Sequence, residues 1–410
     1  MFQLHSLTRV RDFDVAKHPK QQQPSSSLEN TLSIPVYEQE LWTNRQRQAS
    51  SLHEISYRAC FKPQLPAYFI ERFTRPGDTV YDPFSGRGTT AIEAALHGRR
   101  VIANDANPLS VLLCRPRLEL PDLAAIEARL QRIPKAGCND GNIDLSMFFH
   151  RDTFAEILAL RDYLQRRHDD GKEDATDRWI RMIATNRLTG HSKGFFSVYT
   201  LPPNQAASAE NQLRINRNRR QQPEYRDVHA IILKKSQQLR RNLTIEDIER
   251  LQTAAATARF LTTSAAATGQ IAAASVQLTV TSPPFLDVVQ YARDNWLRCW
   301  FNNIDADAIG GCITMSRTIE QWSAAMAAVL ATLYRITRPG GCVAFEVGEV
   351  RKGKIRLEEH VVPLGTAAGF DCEAILINRQ QFTKTANIWG VSNNRHGTNT
   401  NRIVVFHKSP

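Results

Sequence analysis

Thr79-Val80-Tyr81-Asp82-Pro83-Phe84-Ser85-Gly86-Arg87-Gly88-Thr89-Thr90 decides the fold. Thr79 to Phe84 read as a short buried strand. Gly86 and Gly88 then supply a tight turn. Ala91-Ile92-Glu93-Ala94-Ala95-Leu96-His97-Gly98 continues as an apolar-periodic helix ending at its glycine. The stretch from Arg99 restarts as a second strand and breaks at Pro108. Strand, glycine turn, helix, strand is half of a doubly wound sheet. Just upstream, Leu65 to Phe73 fits a helix, and Pro76-Gly77-Asp78 marks the turn into the first strand.

Alternating β/α patterns return after Ala254. Ala258 to Ser264 and Gln277 to Phe285 read as strands, Gln321 to Ile336 as a long helix, and Gly341 to Val350 as a strand. Cys372 to Arg379 and Arg402 to Lys408 read as two last strands joined hairpin-fashion. The expected fold is α/β: a Rossmann-like, seven-stranded sheet with a mainly helical insertion between strands two and three. Residues 1–40, with the polar run Gln21 to Ser27, read as a flexible arm. Residues 41–120 form the first part of the sheet domain, 121–250 the basic helical insertion, and 251–410 the second part. Within the insertion, Thr153 with Glu156 reads as a capping box, and periodicity fails between about Asn186 and Asp227.

The chain has 410 residues, a 42% apolar share and a formal net charge of +11. That is enough for a packed core and too basic to ignore a polyanionic partner. The seven cysteines are scattered without C-x-x-C pairs or histidines at zinc spacing, which argues for buried thiols rather than disulfides or a metal. Nothing approaches the ~20 apolar residues of a membrane span, and the N-terminus lacks the apolar run of a signal peptide. A cytoplasmic protein is expected.

Three constellations carry chemistry. The glycines at 86 and 88 let the backbone approach a ligand at a helix N-terminus, although an ordinary strand–helix turn would look similar. Asp105, about 20 residues further on, can accept both hydroxyls of a ribose, or merely cap a helix. At the end of an apolar strand, Thr281-Ser282-Pro283-Pro284-Phe285 fixes the backbone at the sheet's C-terminal edge. The Ser282 hydroxyl and Pro283 carbonyl can accept hydrogen bonds from an amine, and Phe285 offers a flat face to a planar ring. The bland reading is a structural Pro-Pro turn.

Together, Asp82 to Thr90, Asn104-Asp105-Ala106-Asn107-Pro108 and Thr281 to Phe285 resemble the amino-methyltransferases of DNA. These enzymes move a methyl group from S-adenosylmethionine to cytosine N4 or adenine N6. The resemblance covers about Ile55 to Lys408 apart from the insertion, and implies a methyltransferase sheet. It implies that Asp82, Pro83, Phe84, Ser85, Gly86, Gly88, Thr89 and Thr90 surround the methionine part of S-adenosylmethionine. Asp105, flanked by Asn104 and Asn107, would hold the ribose, and Tyr57 and Lys62 would belong to a cofactor-flanking segment. Ser282, Pro283, Pro284 and Phe285 would grip a flipped base without a covalent intermediate. The chain departs from the family in three respects. Its cofactor motifs precede the catalytic tetrapeptide. Thr262, Thr263 and Ser264 stand where an acid is common. Phe285 replaces tyrosine.

In the insertion, Arg214, Arg217, Arg219, Arg220, Arg226, Lys234, Lys235, Arg240 and Arg241 are interspersed with Asn and Gln. Lys and Arg hold phosphates, while Arg, Asn and Gln read base edges. This region is the expected site of DNA recognition, with a solvated helical face as the alternative. Arg395, His396 and Arg402, in and beside the Asn-rich loop Gly390 to Arg402, join the expected DNA contacts. The expected substrate is double-stranded DNA, cytosine N4 first. Adenine N6, an RNA base and a non-catalytic nucleic-acid-binding protein stand as alternatives. The sequence leaves open a cognate restriction endonuclease and whether the chain is a monomer or a dimer.

Overall fold

The computed structural model describes residues 7–14, 33–39, 49–57, 60–135, 143–201, 206–284, 291–312, 316, 318–350, 355–379 and 400–410. Its strands are β1 (Arg9–Asp14), β2 (Ser33–Gln39), β3 (Thr79–Asp82), β4 (Arg100–Asn104), β5 (Arg259–Leu261) and β6 (Val276–Thr281). They continue with β7 (Thr337–Val347), β8 (Glu349–Val350), β9 (Ile355–Arg356), β10 (Asp371–Arg379) and β11 (Thr400–His407). Nine of them form one sheet in the order β1-β2-β10-β11-β7-β6-β3-β4-β5, while β8 and β9 pair separately. The run from β5 to β10 is the expected seven-stranded α/β sheet. β3 pairs in parallel with β4 and β6, and β6 with β7. β11 enters antiparallel between β7 and β10, as the hairpin reading required.

Two strands extend that sheet, and both come from the segment expected to be a flexible arm. β1 pairs antiparallel with β2, and β2 pairs in parallel with β10. Phe13, Ile34 and Val36 are buried on one face. Each strand carries so few apolar residues that the alternation is too short to stand out beside the polar run that separates them.

Strand residues alternate between two cores, as the period of two demands. Val80, Val101, Ala103, Leu278, Val280 and Ala344 face one side. There they pack with Phe69 and Ile92 of the preceding helices and with Ile157, Trp179, Ile183 and Ile232 from residues 121–250. Tyr81, Ile102, Val343 and Phe345 face the other side, against Trp322, Met326, Leu330 and Leu333 of the helix Ile319–Ile336. The helices of the insertion therefore share one core with the sheet. Arg178 reinforces this by donating to Glu119 at 2.6 Å, and Trp179 ties two helices of the insertion together by donating to Ser236 Oγ at 2.9 Å.

The capping box at Thr153 is a misreading. The helix Arg151–Asp169 starts earlier, with His150 accepting from the Asp152 amide. Thr153 and Glu156 lie inside it and bind the incoming chain instead. Thr153 Oγ1 contacts the Arg226 backbone, and Glu156 accepts from the Val228 amide at 2.8 Å. The motif was right for a cap, but a buried tertiary partner claims the same atoms.

Candidate active site

Strand order reverses where β3 is flanked by β4 on one side and β6 on the other, and α/β sites form at the strand C-termini of such a switch. Here the ends of β3 and β6 are joined directly: Thr281 Oγ1 donates to Asp82 Oδ1 at 2.6 Å. Asp82 is buried, and burial pushes its carboxyl up to about 7. The Phe84 amide also donates to Asp82, at 3.1 Å, which fixes the start of the glycine turn.

A cavity of about 230 Å³ opens at this edge. Tyr57, Pro83, Phe84, Gly86, Asp105, Ser282 and Pro284 line it, so residues from all three sequence constellations meet at one place. Gly86 sits at φ +51°, and a Cβ there would stand 3.5 Å from the Tyr57 ring. Its amide donates to Asp105 Oδ2 at 2.8 Å, and the Asn107 amide donates to Oδ1 at 2.9 Å. Burial nonetheless outweighs these bonds and raises the Asp105 carboxyl to about 6. Ser85 is buried nearby, its Oγ without a hydrogen-bond partner among the described residues.

Several of the expected cofactor residues make scaffold contacts. A Cβ on Gly88, at φ +79°, would stand 2.4 Å from Cys114 Sγ, so this glycine permits the turn and close packing into the helix. Thr89 accepts from Arg87 Nε at 3.3 Å, and Thr90 Oγ1 donates to the Val280 carbonyl at 3.1 Å. Asn104 donates to the Pro83 and Thr263 carbonyls and accepts from Thr263, tying the ends of β4 and β5 together. Asn107 accepts from the Leu109 amide at 3.0 Å. Asp82 and Lys62 do not line the cavity, whereas Tyr57 does. Arg87 explains Tyr57's position: its guanidinium donates to the His53 and Ile55 carbonyls at 3.1 and 2.9 Å, drawing that segment onto the turn.

Apart from Ser264, sequence reasoning missed the rest of the wall. Ser264 and Ala265 follow β5, and Trp322, Met326 and Val329 come from the helix Ile319–Ile336. Trp322 Nε1 donates to the Pro284 carbonyl at 2.9 Å, so this helix holds the Pro-Pro turn. Glu346, buried in β7, was missed as well. It accepts a hydrogen bond at 2.8 Å from Asn401 Nδ2, and burial raises its carboxyl above the usual range, an effect the nearby Ser282 side chain partly offsets. An indole NH and an acid within an apolar strand give no sequence signal until their partners are placed. Phe285 lies outside the described residues, as do Arg395 and His396.

The basic residues divide. Arg214, Arg217, Arg219, Arg220 and Lys234 are exposed on and after the helix Ala209–Arg219 and on the helix Val228–Arg240. Arg219 stacks 3.8 Å from the Tyr199 ring centroid. Lys235 and Arg402 do not belong with them. Lys235 is buried 3.8 Å from Glu54, with its ammonium pushed down to about 8 by burial, and Arg402 is buried 2.5 Å from Glu358. Arg226 donates to the Ser192 and Phe195 carbonyls, Arg240 to that of Pro121, and Arg241 to Glu54.

Among the described residues no group of His, Cys, Asp and Glu side chains could hold a metal ion, and no helix is long and apolar enough to cross a membrane.

The cavity lies at the switch point of the sheet, where open α/β sheets bind their ligands. Residues 4–111, which include the glycine turn and Asp105, match the family model of N6_N4_Mtase, DNA methylase. Type II methyltransferase M.MjaII of Methanocaldococcus jannaschii is 34% identical over 71 residues, 17% of this chain and 13% of that protein. Type II methyltransferase M2.DpnII of Streptococcus pneumoniae is 43% identical over 60 residues, 14% of this chain and 22% of that one. The matches thus span under a quarter of either relative's length. Among solved structures, the rRNA methyltransferase aviRa of Streptomyces viridochromogenes aligns over 87% of this chain and 89% of its own, at 12% identity and a TM-score of 0.34.

Proposed function

We propose that the chain transfers a methyl group from S-adenosylmethionine to an exocyclic amine of a base in double-stranded DNA, cytosine N4 before adenine N6. One observation carries this reading: Gly86, Asp105 and the Ser282–Pro284 turn line a single cavity. The residues fit the cofactor. Gly86 keeps its Cα face open at positive φ, Ser85 offers an unused buried hydroxyl, and the Asp105 carboxylate retains lone pairs for ribose hydroxyls. Phe84, Ala265, Met326 and Val329 supply apolar wall for a planar base. When bound, the cofactor supplies an electrophilic methyl group.

The chain's task is to present the amine nitrogen. Its lone pair is delocalised into the ring, so the two N–H bonds must be held and turned. The Ser282 side chain lies near the Glu346 carboxyl, and its hydroxyl oxygen would accept one amine N–H. The Trp322 bond to Pro284 holds the turn, leaving the Pro283 carbonyl as the second acceptor. This is catalysis by positioning and polarisation. Phe285 would stack on the extruded base and offset part of the cost of flipping it. Arg214, Arg217, Arg219, Arg220 and Lys234 would hold backbone phosphates or read base edges.

Incubation with methyl-labelled S-adenosylmethionine and either DNA or RNA tests the reading. Label in DNA is expected. Label confined to RNA would move the substrate class, and none in either would remove the catalytic reading.

A further inference from the structure

Two arginines beside the cavity carry buried charge with no carboxylate against them among the described residues. Arg187 ends the helix Ala175–Arg187, Arg298 lies on the helix Tyr291–Phe301, and each is 8% exposed. Arg187 donates to the Asn186 carbonyl at 3.1 Å and to Asn186 Oδ1 at 2.6 Å, and lies 4.0 Å from the Phe195 ring centroid. Arg298 donates to Asn295 Oδ1 at 3.0 Å and the Ser56 carbonyl at 3.1 Å, with the Tyr57 ring 5.9 Å away. All these partners are neutral. Burial, and then the charge of Arg298, depress the Arg187 guanidinium to about 10, and burial lowers Arg298 as well. Lys235 adds a third cation to the cluster, and its carboxylate neighbour Glu54 is shared with Arg241.

Burying like charges without a counter-ion is unfavourable, and an arriving anion relieves it. A guanidinium fork matches the oxygens of a phosphate better than an ammonium does. The position narrows the source of the anion. Neither arginine lines the cavity, whereas Tyr57 does and meets both Gly86 and Arg298, so the pair lies behind the cofactor wall. Arg298 stands on the helix that follows the catalytic turn in the chain. Arg187 touches Phe195, which also meets the His191 ring, and His191 and Lys193 are exposed. The buried Phe195 ring thus stands between Arg187 and the exposed basic residues His191 and Lys193.

We propose that Arg187 and Arg298 form an anion site for a backbone phosphate of the strand that carries the target base. The proposal rests on the DNA methyltransferase reading above. The test uses the full chain with S-adenosylmethionine and a duplex containing one mismatched cytosine, which extrudes readily. Duplex affinity is measured over a salt series, and cofactor affinity by calorimetry. Arg187→Gln and Arg298→Gln are each expected to lower the log–log salt slope by about one, with cofactor affinity within about twofold of the parent. An unchanged slope in folded variants would overturn the site. So would a loss of cofactor affinity at unchanged slope, which would give the pair to the cofactor's carboxylate. If the Gln variants do not fold, Arg187→Lys and Arg298→Lys carry the test. They keep the charge and lose the fork, so duplex affinity is expected to fall several-fold at unchanged slope, and undiminished affinity overturns the site. A parent chain that binds no duplex defeats the DNA reading itself. A parent that binds and methylates, with variants that match it, defeats this site alone.

Discussion

In the turn after β3, residues 19 apart in sequence are drawn together, Gly86 donating to Asp105. On the helix Val228–Arg240, adjacent residues part company: Lys234 is exposed while Lys235 is buried near Glu54. The turn is built from residue types whose backbone behaviour is almost independent of context. A glycine at positive φ or a proline at a strand end acts the same way wherever it is placed. An arginine or lysine has no such fixed behaviour, since its long stem lets the charge reach solvent, a carbonyl or a carboxylate. Spacing therefore predicts the cavity, while charge density alone mixes surface cations with structural ones.

Predictions that break or sharpen this contrast begin with Ser282. Ser282→Ala is expected to lower the single-turnover methyl-transfer rate about 10²-fold, the scale for one lost hydrogen bond made mainly at the transition state, with little change in duplex affinity. Near-parental turnover would mean the tetrapeptide is not catalytic. Asp105→Ala is expected to weaken S-adenosylmethionine binding by about 1–3 kcal/mol, read by calorimetry on a variant with parental circular dichroism. The same site carries a pH signature. With its carboxyl at about 6 rather than 3.8, Asp105 loses an acceptor lone pair on protonation. Cofactor affinity should thus fall as pH drops through about 6, and Asp105→Asn should flatten that dependence. A pH-independent affinity in the parent chain would exclude Asp105 from the ribose.

Trp322→Phe keeps an aromatic ring and removes the donor to Pro284. It is expected to cost about 1–3 kcal/mol in chemical denaturation, because a partly buried carbonyl is left unpaired, and to lower turnover along with it. Parental values for both would show that the helix does not hold the turn. The smallest effects belong to the helical segment. Arg217, Arg219 and Arg220 changed together to Ala should reduce the salt slope by roughly one for each phosphate no longer neutralised, at similar cost on every duplex. Lys235→Met should leave that slope unchanged, since its charge, unlike those of Arg187 and Arg298, is answered within the chain by Glu54 at 3.8 Å. A slope that moves with Lys235 and not with the triple variant would invert the division of the basic residues.

Much of the site is legible in the sequence because Gly86, Asp105 and Ser282-Pro283-Pro284 declare backbone turns at strand ends. The central seven strands are legible from alternation and from the turns between them. What escaped had its meaning only in tertiary partners. β1 and β2 bury one short face each and borrow their ladder from β10. Asn104 looks like a ligand and is a brace between β4 and β5, and Thr153 looks like a cap and is a clasp on Arg226. Glu346 reads as an anomaly inside β7 until Ser282 is placed against it.

The central claim is that the Ser282 turn presents a base amine to a methyl donor held at Gly86 and Asp105. It is tested most directly by nucleoside mass spectrometry of duplex DNA after incubation with methyl-deuterated S-adenosylmethionine. The account predicts labelled N4-methylcytosine from the parent chain and its loss from Ser282→Ala. Labelled N6-methyladenine would keep the mechanism and change the base. Label at cytosine C5, or label undiminished by Ser282→Ala, would contradict it.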